Sequence, residues 1–281
     1  MAGLCALSLF LAFASAQQAP VPQIVLPAPG ETQEIVLLDG TRALGQVQAV
    51  SEDVVTFRTT VGATIEVARS QVATVAVVAG RVVNGTFWPA DPNTTRLLFG
   101  PTARALKRGD SYLAVYEISL PFVQVGLTDR ISIGAGTLPY FGEGTPHPFW
   151  VTPKVQVFGS AKTAVAVGVL HFVNFGDYSA GIGYGVLTHG TAESAVTVGL
   201  GYGYVAGEGH GGAPLVMVGG EHRVARRVKL VTENYAFRGG GIMSAGVRLL
   251  GERMSVDFGL MAPLSAETFI VVPLVNFVWT F

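Results

Sequence analysis

From Asn93 to Phe281 the chain runs in segments of about ten residues in which apolar and polar side chains alternate, each segment closed by a turn. Such a two-residue period sends neighbouring side chains to opposite faces of a strand. Beyond the extreme N-terminus there is no run of roughly 18 consecutive apolar residues, the length a membrane helix needs. Yet 49% of the residues are hydrophobic and only 13% are charged, with a mean hydropathy of +0.46. An ordinary soluble domain carries roughly 25% charged residues. In lipid every backbone group must be paired within the protein, so a membrane chain without spanning helices is left with a closed β-barrel. Disorder is excluded by the same composition. A net charge of −1 leaves no footprint for nucleic acid.

Strands are expected near Thr94–Gly100, Tyr112–Gly126, Arg130–Thr137, Val151–Gly159, Thr163–Val173, Tyr178–His189, Ser194–Val205, Pro214–Val224, Val228–Phe237, Gly241–Leu250, Met254–Ala262 and Thr268–Phe281. The fold class is therefore all-β, with an antiparallel transmembrane barrel of about 12 strands, an even number as in bacterial single-chain barrels. The connections alternate as well. Short turns such as Thr128-Asp129, Ser160-Ala161-Lys162 and Gly251-Glu252-Arg253 exchange with longer or glycine-rich links such as Leu138–Phe149 and Ala206–Ala213. Barrels of this kind have short periplasmic turns and longer outer loops. The basic stretch Thr102–Arg108 falls in a link expected on the outer side.

Ahead of the barrel, residues 1–16 read as a signal peptide, with the apolar run Leu4–Phe13 and small residues at Ala14 and Ala16. Cys5 lies within it, so the mature chain has no cysteine chemistry. Residues 17–33, rich in Pro and Gln, form a linker. Residues 34–83 hold five short β runs at Ile35–Leu38, Leu44–Val50, Val54–Thr59, Thr64–Ala68 and Val72–Val78. They suggest a small periplasmic β domain. Leu38-Asp39-Gly40-Thr41, Gly45 and Ser51-Glu52-Asp53 weakly resemble the Sm-like small barrel, without RNA-binding residues that can be placed. Residues 93–281 form the barrel.

At the C-terminus Phe277, Trp279 and Phe281 alternate. This ending resembles the C-terminal aromatic signal of bacterial outer-membrane β-barrel proteins, which the barrel assembly machinery reads. The resemblance implies an outer-membrane location, with membrane lipid and that machinery as partners. In lipid the same three residues would face outward in an aromatic girdle.

Charges on a lipid face cost about 2–4 kcal/mol for a basic residue at mid-membrane, so the strand charges are expected to face the lumen. The inward set is Glu117, Lys154, Glu221, Arg223, Lys229, Glu233, Arg248 and Asp257, with acids and bases balanced. Opposite charges on Glu221, Arg223, Lys229 and Glu233 are placed to pair across one hairpin. Such a lumen fits either a weakly selective water-filled pore or a salt-bridged bore that is nearly closed. Gly181, Gly183 and Gly185, like Gly199, Gly201 and Gly203, are expected to line it, either widening it or admitting an inserted loop.

No His-x-Ser pair of an outer-membrane hydrolase occurs, and the five histidines lack zinc-ligand spacing. The chain is therefore read as a non-enzymatic barrel without cofactor or metal, a passive pore for small solutes or a structural envelope protein. Two other readings stay open: a hydrolase with an unrecognised site, and a secreted soluble all-β binding protein.

Overall fold

The computed structural model describes residues 31–281, apart from 139–146, 176–177, 207–210 and 265–269, together with Ile24, Leu26 and Ala28. The expected signal peptide lies outside the described residues. The chain divides between Val78 and Ala79 into two compact units.

The first unit holds β1 (Thr32–Leu37), β2 (Arg42–Val50), β3 (Val54–Thr59), β4 (Thr64–Ala68) and β5 (Val72–Val78) in one antiparallel sheet of order β4-β3-β2-β1-β5. Alternate positions bury Ile35, Val47, Val55, Phe57, Val67 and Val72 together. The β1–β2 turn is set by Gly40 at φ +86° and by Asp39, whose carboxylate accepts the Thr41 N–H at 2.8 Å. These backbone and side-chain hydrogen bonds from Thr41 hold the exposed Asp39 carboxyl below its usual range. The segment 34–83 and the unit boundary differ by β6 (Gly80–Val83), which pairs with β7 (Thr86–Pro89) in the second unit.

The barrel follows. Its elements are β8 (Ser111–Tyr116), β9 (Leu120–Gly126), β10 (Ile131–Thr137), β11 (Phe149–Val151), β12 (Lys154–Gly159), β13 (Thr163–Phe175) and β14 (Tyr178–Gly190). They continue with β15 (Ser194–Ala206), β16 (Gly211–Ala225), β17 (Val228–Phe237), β18 (Gly240–Leu250), β19 (Met254–Pro263) and β20 (Val272–Thr280). Each pairs antiparallel with its sequence neighbour, and β20 closes on β8 with Thr280 opposite Tyr112. β11 and β12 both bridge β10 and β13, as two halves of one stave broken at Thr152-Pro153. Proline has no N–H to give the ladder. The closed wall thus has 12 staves.

Two expected strands are corrected. Thr94–Gly100 is not a stave, and Tyr112–Gly126 is two. The second folds back at Glu117 and Ile118, whose φ angles of +48° and +63° lie in the left-handed region. Neither glycine nor asparagine marks that turn, and a β-branched residue is rarely found there. Replacing Ile118 by glycine is expected to stabilise the barrel by about 1 kcal/mol, because the strain is relieved where the backbone already sits. Urea unfolding of the refolded protein measures it, and a loss of stability would contradict the strained turn.

The wall is polarised inside out. Leu200, Tyr202 and Leu260 are 66%, 56% and 57% exposed on the outer face, whereas Lys229 and Arg248 are 0% exposed. The lower-numbered end of β8 and the end of β20 share one rim with the short turns at 127–130, 160–162, 191–193, 226–227 and 251–253.

Candidate functional site

Residues 90–110 enter the barrel from that short-turn rim and run inside it as an irregular hairpin. Leu97 donates its N–H to the Gly100 carbonyl at 2.9 Å, Thr102 to the Thr95 carbonyl at 3.0 Å, and Arg96 bridges to Pro101. Leu97, Leu98 and Ala103 are fully buried and pack on Ala164, Ala166, Val186, Met217, Val231 and Leu274 of the wall. Gly219 makes room for the tip, since a Cβ there would lie 2.2 Å from Leu97 Cδ1.

Irregular backbone at this depth leaves carbonyls and N–H groups that the ladder cannot satisfy, and an orphaned group is costly. The charged side chains of the wall satisfy them. Arg248 donates to the carbonyls of Asn93 (2.8 Å) and Leu97 (2.5 Å) while forming a bidentate pair with Asp257 at 2.7 and 3.0 Å. Lys154 donates to the carbonyls of Thr95, Thr102 and Arg104 at 3.3, 3.1 and 2.8 Å. One oxygen of Glu233 accepts the N–H groups of Phe99 and Gly100, both at 2.9 Å, and the other accepts from Tyr235 Oη. Asn276 donates to the Leu98 carbonyl at 3.1 Å. Lys229 is shared between Asp91 and Glu221, and Glu221 also pairs with Arg104. The Asp91 carboxylate is buried between Lys229 and Arg248, so it is matched by two cations of the wall.

Of the expected inward charges, Lys154, Glu221, Arg223, Lys229, Glu233, Arg248 and Asp257 are all buried. Glu117 is apart from them, half-buried in the β8–β9 turn. Within the expected charge cluster, Lys229 meets Glu221 at 2.9 Å, but Arg223 turns to Glu193 in the next turn and Glu233 binds the hairpin backbone. Thr102 and Ala103 are buried in the barrel, so the stretch Thr102–Arg108 is not the outward loop expected. The glycines divide. Gly199 lies on the interior face, whereas β14 is turned the other way: Val186 and Thr188 are buried inside and Leu187 is exposed. Gly181, Gly183 and Gly185 are thus on the outer face, opposite Tyr204, Tyr202 and Leu200. Both faces of β14 carry apolar residues, so polarity alone did not orient it.

The hairpin residues themselves, above all Asp91, Arg96, Leu97, Leu98 and Arg104, were missed as interior groups. Asp91-Pro92 and Pro101, which suit a turn-rich insert better than a ladder strand, were the available signals.

Above the hairpin tip lies a cavity of about 330 Å³, with Phe99, Leu120, Trp150, Leu170, Ile182 and Tyr184 among its walls. Gly199 and Gly201 leave space along β15. Arg96 lies over the Phe122 ring at 4.5 Å, and Phe122 stacks on Trp150 at 6.4 Å.

On the outer face Ser194 Oγ and His222 Nδ1 are 3.0 Å apart, a nucleophile type beside a base type. Among the described residues no carboxylate is bonded to that imidazole, and no group of three or more His, Cys, Asp or Glu residues could hold a metal.

No protein-family model matches the chain, and no curated protein matches it either. Among solved structures it is similar to the KdgM porin in complex with disordered oligogalacturonate, at 6% identity and a TM-score of 0.47, over 61% of this chain and 98% of that one. It is also similar to a loop-deletion mutant of OmpT, an outer membrane protein of Vibrio cholerae, at 13% identity and a TM-score of 0.40, over 89% and 96%. A third is Salmonella typhi OmpF in complex with daunomycin, at 9% identity and a TM-score of 0.38, over 89% and 96%.

Proposed function

We propose that this chain is an integral outer-membrane β-barrel of the bacterial envelope whose bore is closed by its own hairpin, with the first unit on the periplasmic side. The observation that carries this reading is the reversed polarity of the wall. Ion pairs and hydrogen-bonded charges fill the interior, while large apolar side chains cover the outer face over far more area than a soluble monomer exposes. That reversal disfavours the secreted soluble alternative, whose polar face would be wet. The expected signal peptide, residues 1–16, supports export, and Phe277, Trp279 and Phe281, which are 40%, 47% and 72% exposed, support delivery by the barrel assembly machinery. Of the two lumens the charges allowed, the salt-bridged one is favoured, because each member of the wall cluster contacts the hairpin or a partner charge. The protein then acts as an envelope protein with a shut bore in its resting form.

Cell fractionation with heat-modifiable gel migration tests the location; recovery in the soluble periplasmic fraction without a detergent-resistant folded form would refute it. Phe281→Asp is expected to reduce the membrane-inserted fraction several-fold, whereas Ser160→Asp, in an exposed turn, leaves it unchanged. Equal membrane levels of the two variants would remove the assembly signal from the reading.

A further inference from the structure

We infer that the cavity above the hairpin is a binding site for a small anionic amphiphile, an apolar chain ending in a single carboxylate. Three observations meet there. The first is its apolar and aromatic lining, of the size small-molecule sites have. The second is charge. Arg96 and Lys154 both line the cavity, and neither has a carboxylate within ion-pair distance among the described residues. Their hydrogen bonds go to neutral groups. Arg96 uses Tyr112 Oη at 2.7 Å, the Phe99 carbonyl at 2.9 Å and Gln124 Oε1 at 3.1 Å, and Lys154 uses the three carbonyls given above. The other interior cations, Arg104, Arg223, Lys229 and Arg248, each have an acid. Two buried positive charges without a counter-charge are costly unless an anion completes them.

The third observation is a set of vacant hydrogen-bonding groups. Thr95 Oγ1, Tyr116 Oη and Thr152 Oγ1 are buried without a partner among the described residues, and all three residues line this same cavity. Native structures seldom leave such groups idle, and a cluster of them at one cavity points to a ligand that satisfies them. A carboxylate accepts from the hydroxyls and from the N–H groups that Arg96 has left after its three bonds, while Lys154, whose three N–H groups go to carbonyls, contributes its charge and no hydrogen bond. An aliphatic tail would lie against Leu170, Ile182 and Trp150. The chemistry disfavours a sugar, which needs many polar contacts that this lining lacks, and a cation, which Arg96 and Lys154 repel.

The inference goes beyond the proposed envelope role, and its test separates the two. The refolded full chain in nanodiscs is titrated with dodecanoate carrying ¹³C at the carboxyl, and folding is checked on the same samples by heat-modifiable migration. A saturable bound carboxyl resonance at one per chain is expected, displaced by unlabelled dodecanoate and at least tenfold less well by dodecanol. Arg96→Gln should weaken binding at least tenfold. Ile182→Trp, which fills the cavity from the wall and touches neither cation, should abolish it in a barrel that still folds. Folded protein without a saturable resonance overturns the inference and leaves the envelope role standing. So does equal competition by dodecanol, or undiminished binding in Ile182→Trp. If Arg96→Gln fails to fold, the alcohol comparison and the tryptophan variant decide alone.

Discussion

Removing Asp91–Arg104 and joining Ala90 to Ala105 through a short glycine linker is expected to turn a barrel of little or no conductance into a conducting one. The two arms of the deleted stretch meet at Thr94, Thr95 and Thr102, and the glycine linker is made long enough to cross from Ala90 to Ala105 without them. The wall needs no repair, because its ladder closes without the hairpin. What is lost is the filling: Leu97, Leu98 and the backbone that the wall charges hold. The exposed bore keeps Lys154, Arg223, Lys229 and Arg248 against Glu221, Glu233 and Asp257. Counting Glu193, which stays paired with Arg223, four bases face four acids, so the open channel should be only weakly selective, with a reversal potential near zero. Single-channel recording in planar bilayers gives both conductance and reversal potential. A folded deletion variant as silent as the parent would mean that the bore is shut by something other than this hairpin.

Replacing Arg248 by methionine should have the largest effect on stability of any single interior change. Its guanidinium is bound bidentately by Asp257, reaches Asp91 at 3.4 Å and donates to the hairpin carbonyls. Methionine keeps much of the volume but leaves the Asp257 carboxylate buried without its cation, and breaking a buried pair from one side costs about 3–5 kcal/mol. Removing both partners is milder, because no orphaned charge remains. The pair Arg248→Met with Asp257→Leu should therefore recover part of the loss. A double-mutant cycle by urea unfolding measures the coupling. A loss below about 1 kcal/mol for Arg248→Met, the range of an exposed pair, would mean that water reaches this cluster.

The barrel was legible because its period is local. A strand with one face in lipid must alternate, and turns must separate strands, whatever lies on the other side of the wall. Hence the edges of β13, β15, β17 and β18 lie within a few residues of where alternation and turn residues put them. The stave count agrees with expectation through two errors that cancel: the hairpin arm Thr94–Gly100 was counted as a strand, and the turn at Glu117-Ile118 was passed over. Both have the same physical origin. An inserted hairpin must be apolar where it meets Ala166 and Val186, so it imitates a stave, and a turn built from strained non-glycine residues carries no turn signature. The interior charges were recognisable because lipid excludes them. Their roles were not, since an alternating pattern tells which face Glu233 occupies but not that its partners are the N–H groups of Phe99 and Gly100. Only the folded chain brings those together.

The order of the chain makes the bore's filling a late event in folding. The hairpin is synthesised before any stave, and although Lys154 follows soon after it, two of its anchors come near the end: Arg248 bonds to Leu97 across 151 residues, and Asn276 to Leu98 across 178. Asn276 also lies on β20, the strand that closes the ring against β8. The last strand therefore supplies both the seam and a hairpin anchor, and loop-closure entropy must be met before either is rewarded. Until β20 arrives, the apolar tip at Leu97 and Leu98 has only a partial wall to shelter it. Such an intermediate exposes an apolar hairpin and two open sheet edges at once, the combination most prone to aggregate.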